Sequence, residues 1–225
     1  MSKFLVIAGC HGAGISHAVA KKFGKKYQVA LISRSVGKLD EIVQKLKQEG
    51  IDAQAFHADL GNPVAVVETL KKNQVFGSVE ILFWNAGGLA KPLILSSVSD
   101  IELNLNVTVV SLVQAIQTVQ DDLEANHGAV LVTGGGLGAE RTPAQYVVSL
   151  GCGSLAVNKA ALHKACAILH EELKPRGIFV GEVMVASIVK GTAWDNGNAK
   201  LEADDVAKAF EALLQKRIEG FFLLA

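Results

Sequence analysis

Short apolar runs alternate along the chain with stretches whose apolar positions recur every three to four residues. Residues 4–8 (FLVIA) are the first such run and read as a strand buried on both faces. Residues 15–26 then place Ile15, Ala18, Val19 and Phe23 on one helical face and Lys21, Lys22, Lys25 and Lys26 on another. The same alternation predicts strands at 28–32, 51–57, 79–84, 129–133, 178–185 and 221–224. Helices are predicted from Val36 toward Gly50, onward from Pro63, and over 99–125, 154–173 and 202–217. A loop follows the fourth strand through Pro92, and a glycine-rich loop spans 134–153. No Pro/Ser-rich linker, repeat or low-complexity segment interrupts this pattern. It predicts one α/β domain over 1–225, a doubly wound parallel sheet of Rossmann type with helices on both faces. Ligands of such sheets sit beyond the carboxyl ends of the strands, so functional residues are expected there.

Composition narrows the partners. The 225 residues carry 22 Lys+Arg against 22 Asp+Glu, so the chain lacks the basic footprint that nucleic acid or an anionic membrane requires. Cys10, Cys152 and Cys166 are scattered, which is neither a disulfide framework nor a metal-ligand spacing. The apolar start is short and runs into glycines, unlike a signal peptide, and no apolar run approaches the roughly 18 residues of a membrane span. A cytoplasmic protein with a small-molecule substrate is the expectation.

The first strand ends in Gly9-Cys10-His11-Gly12-Ala13-Gly14-Ile15-Ser16. Glycines between a strand and a helix let backbone N–H groups approach a diphosphate at the positive helix end. The alternative is a tight turn with no ligand. An acid about 20 residues further on would grip the ribose 2′-hydroxyl of NAD, and an arginine would suit the 2′-phosphate of NADP. Arg34, in Ser33-Arg34-Ser35, stands at that distance with Lys38 a turn later. This favours NADP over NAD, although a solvated basic helix start would look the same. Cys10 and His11 are adjacent and cannot make a metal or nucleophile site alone.

Further residues make the chain resemble the short-chain dehydrogenase/reductase family over essentially its whole length. Ala58-Asp59-Leu60 after the third strand matches the family's acidic residue near the adenine. Asn85-Ala86-Gly87 matches its N-A-G motif, which shapes the cofactor pocket. Asn106, in Leu105-Asn106-Val107, matches the helix asparagine of the catalytic tetrad. Asn158-Lys159-Ala160-Ala161 matches the stretch holding the catalytic lysine, and Thr192 the threonine that contacts the nicotinamide carboxamide. The resemblance implies an NADP(H)-dependent oxidoreductase acting on a carbonyl or alcohol. It also implies a homodimer or homotetramer paired through the two long helices.

The departures are as informative. Cys10 and Ser16 stand where the family has glycines, and the Ser16 hydroxyl is a candidate phosphate donor. Leu155 takes the place of the proton-donating tyrosine four residues before the lysine, and Gly135 that of the serine after the fifth strand. Thr133 supplies a hydroxyl there only if the register slips. The loop between Gly135 and Leu155 is longer than the family's. It could fold Tyr146 over the nicotinamide as a replacement donor, or Tyr146 simply packs on a neighbour. His163 could share the Lys159 helix face, as a proton-transfer group or as a packing residue. The segment after Thr192 is short for a substrate lid, with Trp194 as a candidate apolar wall. A catalytically inactive NADP-binding regulatory or interaction protein is therefore the second reading. Another Rossmann enzyme, such as a methyltransferase, would leave the Asn85 and Lys159 stretches unexplained.

Overall fold

The computed structural model describes residues 3–10, 14–74, 77–192, 194–217 and 220–224. Seven parallel strands are ordered β3-β2-β1-β4-β5-β6-β7. They are β1 (Lys3–Ala8), β2 (Gln28–Ser33), β3 (Ala53–His57), β4 (Ser78–Trp84), β5 (Ala129–Gly135), β6 (Phe179–Val185) and β7 (Phe221–Leu224). Side chains alternate along each strand, so β1 sends Leu5 and Ile7 to one layer and Phe4, Val6 and Ala8 to the other. The first layer holds α1 (Ile15–Phe23), α2 (Val36–Gln48) and, near the chain end, α8 (Ala203–Lys216). The second holds α3 (Pro63–Gln74), α5 (Ser111–Ala125) and α7 (Gly153–Leu173), with α4 (Val98–Leu105) leading into α5. Two-sided burial explains why the strands read as unbroken apolar runs. The doubly wound parallel sheet is as the sequence predicts.

Several boundaries differ for local reasons. The first helix stops at Phe23: the Gly24 N–H closes on Ala20, and a Cβ there would lie 2.4 Å from Ile51. Lys25 and Lys26 thus lie beyond it. The third strand begins at Ala53, because the Ile51 N–H is bonded back to Leu46 at the end of α2. The predicted helix over 99–125 is broken in two. Asn106–Val110 form a π-turn between α4 and α5, where the Ser111 N–H reaches the Asn106 carbonyl. The glycine-rich loop after β5 contains a short helix, α6 (Ala144–Ser149).

Strand order reverses between β1 and β4, which opens a crevice at their carboxyl ends. The segment from β6 to α8 rims the same end of the sheet. It is held by Asp195, whose carboxylate accepts the N–H groups of Gly191 (3.0 Å), Gly197 (2.8 Å) and Ala199 (3.3 Å). A bridge between Val189 and Leu201 closes its base.

Candidate active site

A shallow cleft, open to solvent, lies at the switch point. Gly9, Ser33, Arg34, Asp59, Leu60, Ala86, Gly87 and Val107 line it, drawn from the ends of β1, β2, β3 and β4 and from the π-turn. Seven of the eight, all but Val107, are predicted cofactor residues: Gly9, Ser33, Arg34, Asp59, Leu60, Ala86 and Gly87.

Gly9 has a φ of +94°, and a Cβ on it would lie 2.6 Å from the Asn85 carbonyl. Only glycine allows both the backbone twist and this approach of β1 to β4. Gly14 begins α1, and a Cβ there would meet the Thr192 methyl at 3.3 Å. The glycine turn and Thr192 are therefore neighbours, although far apart in sequence. Thr192 is half-buried and its hydroxyl donates to the Val189 carbonyl at 2.7 Å. Ile15 is buried in the core behind the turn. Gly12, a predicted cofactor residue, and His11 lie outside the described residues.

Ser16 does not face the cleft as a phosphate donor. It is buried, donates to the Gly9 carbonyl at 3.0 Å, and accepts from the Asn85 amide at 2.8 Å. Its extra atoms are absorbed by tying the turn to β4. Cys10 is buried too, and burial pushes its thiol up to about 12, so it offers no nucleophile. Ser33 is likewise turned inward, donating to the Cys10 carbonyl at 2.9 Å. Arg34 remains 59% exposed at the mouth, with Nε 3.8 Å from Asp59. Asp59 also accepts the Gly61 N–H at 2.9 Å.

Lys159 is almost fully buried on α7. Its Nζ donates to the Thr133 carbonyl at 3.1 Å and lies 3.5 Å from that of Ala86, spanning the ends of β5 and β4. Burial lowers it to about 8 from the usual lysine value, and the nearby Glu182 charge opposes that shift. Asn106 is half-buried at the start of the π-turn, a deformation that recurs at functional sites.

Leu155 and Gly135 are the residues expected at the other two tetrad positions. Leu155 and Gly135 are half-buried, and the Lys159 stem packs 3.2 Å from where a Gly135 Cβ would be. Thr133 pairs with Val183 in an unbroken β5–β6 register that runs from Ala129–Phe179 to Gly135–Val185. Its hydroxyl is buried without a partner among the described residues. Tyr146 stands 54% exposed on α6, its hydroxyl unbonded among the described residues. Trp194 is 56% exposed rather than packed.

Three polar groups escaped the sequence reading. Asn104 fixes the backbone of Leu89 through both ends of its amide, at 2.6 and 3.1 Å. Asn158, beside Lys159, accepts from Thr108. Glu182 in β6 is buried and bonds His163 at 2.6 Å. As the lone acid within the apolar run IFVGEVMV, Glu182 was the one with a visible signal. Among the described residues, no three His, Cys, Asp or Glu side chains converge as a metal site. No helix among them is long and apolar enough to cross a membrane.

Residues 3–200 match the family described as short chain dehydrogenase. A very-long-chain 3-oxoacyl-CoA reductase from Anas platyrhynchos is 27% identical over 76% of this chain and 55% of its own. An NADPH-dependent 1-acyldihydroxyacetone phosphate reductase from Schizosaccharomyces pombe is 25% identical over 83% of this chain and 60% of its own. The chain thus spans little more than half the length of these relatives. The crystal structure of a short chain dehydrogenase from Burkholderia cenocepacia in complex with NADP is 27% identical. It superposes with a TM-score of 0.80 over 99% of this chain and 94% of that one.

Proposed function

The chain belongs to the short chain dehydrogenase family, and on that premise we propose that it is an NADP(H)-dependent oxidoreductase of a carbonyl or alcohol substrate. The observation that carries the reading is Arg34 at the mouth of the switch-point cleft, opposite the twisted Gly9 turn. An exposed guanidinium there suits a 2′-phosphate, which it can bind through two donors. The NADPH-dependent yeast relative and the NADP-bound bacterial structure support the same choice.

The cleft fits the dinucleotide in its chemistry. Gly9 and Gly14 give backbone access for the diphosphate at the α1 N-terminus, and Leu60 and Asp59 flank the adenosine end. Lys159 would hold the ribose hydroxyls of the nicotinamide end, and Thr192 the carboxamide. The bound dinucleotide supplies the hydride. Asn106 would hold water, and with Leu155 in the tyrosine position such a water would deliver the proton. A positioned general acid is worth about 10²–10⁴ in rate, so turnover is slow by that factor. The exposed apolar residues Val157 and Ile168 on α7 support pairing of this helix across a homodimer or homotetramer.

The same vacancy of proton donors favours a second reading, a cofactor-binding protein without turnover. Fluorescence titration with NADPH and NADH tests the shared part: tight NADPH and weak NADH binding supports it, and no binding of either rejects it. A carbonyl-substrate screen with NADPH then separates slow enzyme from silent binder.

A further inference from the structure

We propose that Glu182, oriented by His163, is the buried counter-charge of Lys159 and a positioning residue of the site. The two charged side chains approach β5 at consecutive glycines. A Cβ on Gly134 would fall 1.9 Å from the Glu182 Oε1, inside the space the carboxylate occupies. A Cβ on Gly135 would fall 3.2 Å from both Cγ and Cδ of Lys159. The Gly134–Gly135 pair thus makes room for an acid from β6 and a base from α7 on one short stretch of strand. The same Gly135 that removes a serine hydroxyl admits the lysine stem.

Glu182 is 1% exposed, and its Oε1 has no hydrogen-bond partner among the described residues. An orphaned carboxylate oxygen in such a place is costly unless a positive charge compensates it. His163 answers one oxygen, with Nδ1 2.6 Å from Oε2, and it is itself seated edge-on against Phe221 of β7, 5.0 Å between ring centres. Lys159 answers the other through the field rather than by contact. Burial raises the Glu182 carboxyl, while His163 and Lys159 pull it back down. Lys159 in turn feels Glu182 and the Cys166 thiol one to two turns along α7. Cys166 is pushed up by burial and stays neutral, which leaves Glu182, among the described residues, to oppose desolvation of the ammonium. His163 closes the circuit because its hydrogen bond favours the ionised carboxyl against burial, and at about a third exposure it is the member in touch with solvent.

The test is a pH titration of the Lys159 side chain by NMR of ¹³Cε-labelled lysine, its signal assigned by loss in Lys159→Met. It needs no cofactor, so it is read independently of the function proposed above. The wild-type midpoint is expected at about 8. In Glu182→Gln it falls by about one pH unit or more, and in His163→Gln it falls in the same direction. An unchanged midpoint in Glu182→Gln overturns the proposal. If that variant does not fold, an unchanged midpoint in His163→Gln does so.

Discussion

The Asn85 amide nitrogen lies 2.8 Å from the Ser16 hydroxyl, which in turn donates to the Gly9 carbonyl at 3.0 Å. A serine in place of a turn glycine is thereby converted from an obstruction into a tie between α1 and β4. Removing the hydroxyl leaves a half-buried amide and a carbonyl short of one partner. Ser16→Ala is expected to cost about 1–2 kcal/mol of stability, measured by urea unfolding. The NADPH/NADH preference should not change, because the hydroxyl faces away from the cleft. A shift in preference without loss of stability would contradict this role.

Arg34 is exposed and only loosely paired with Asp59, so its charge is available to a ligand. Arg34→Asp should weaken NADPH binding by about tenfold or more while leaving NADH binding equal or tighter, since charge-assisted hydrogen bonds to phosphate are worth about 1.5–3 kcal/mol. Parallel fluorescence titrations decide it. An unchanged ratio of the two affinities would remove Arg34 from the 2′-phosphate.

Lys159 gives a pH dependence of definite sign. Its ammonium is present below about 8 and lost above, so NADPH binding should weaken as pH rises through 8. The stability effect runs the other way. The folded value lies below the ordinary lysine value of 10.5, so the unfolded chain holds more protons between about 8 and 10.5. Stability attributable to Lys159 therefore rises across that window. Denaturation of wild type and Lys159→Met from pH 7 to 10 should show the difference between them growing in favour of wild type.

Leu155 precedes Lys159 by one helical turn, on the same face. Leu155→Tyr should raise NADPH-dependent ketone reduction by about 10²-fold or more. Adding Gly135→Ser asks the flexible Lys159 stem to yield a few tenths of an ångström and should help less. Binding of NADPH with no gain in turnover from Leu155→Tyr across a substrate panel would place the chain among silent binders.

Tyr146 is exposed on α6, its hydroxyl unbonded among the described residues. Tyr146→Phe is expected to leave both cofactor binding and turnover within about twofold of wild type, as for an ordinary surface substitution. A larger loss in turnover alone would show that α6 moves its hydroxyl into the reaction.

The inner strands were legible because two-sided burial writes itself as continuous apolar runs, as in Phe4–Ala8, while the edge strand Phe221–Leu224 is apolar yet largely exposed. Helix faces were legible for the same reason, and the cleft residues followed from strand ends. The π-turn at Asn106 was not, because Leu105, Asn106 and Val107 keep helical periodicity on either side of an inserted residue. Neither was the end of α1 at Gly24, set by the distant Ile51. The inward turn of Ser16 and Ser33 depends on carbonyls of Gly9 and Cys10, which sequence places nearby without orienting them. Glu182 was readable as an anomaly, but its partners come from other elements.

The Asp195 carboxylate gathers three backbone N–H groups into one knot at the rim of the cleft. One side chain thereby fastens Gly191, Gly197 and Ala199 to a single point, so the rim among the described residues stands or falls with one carboxylate. The knot also has an acid limit: hydrogen bonding from Gly191 and Gly197 holds the Asp195 carboxyl below its usual value, and the rim loosens only as pH falls through that lowered range.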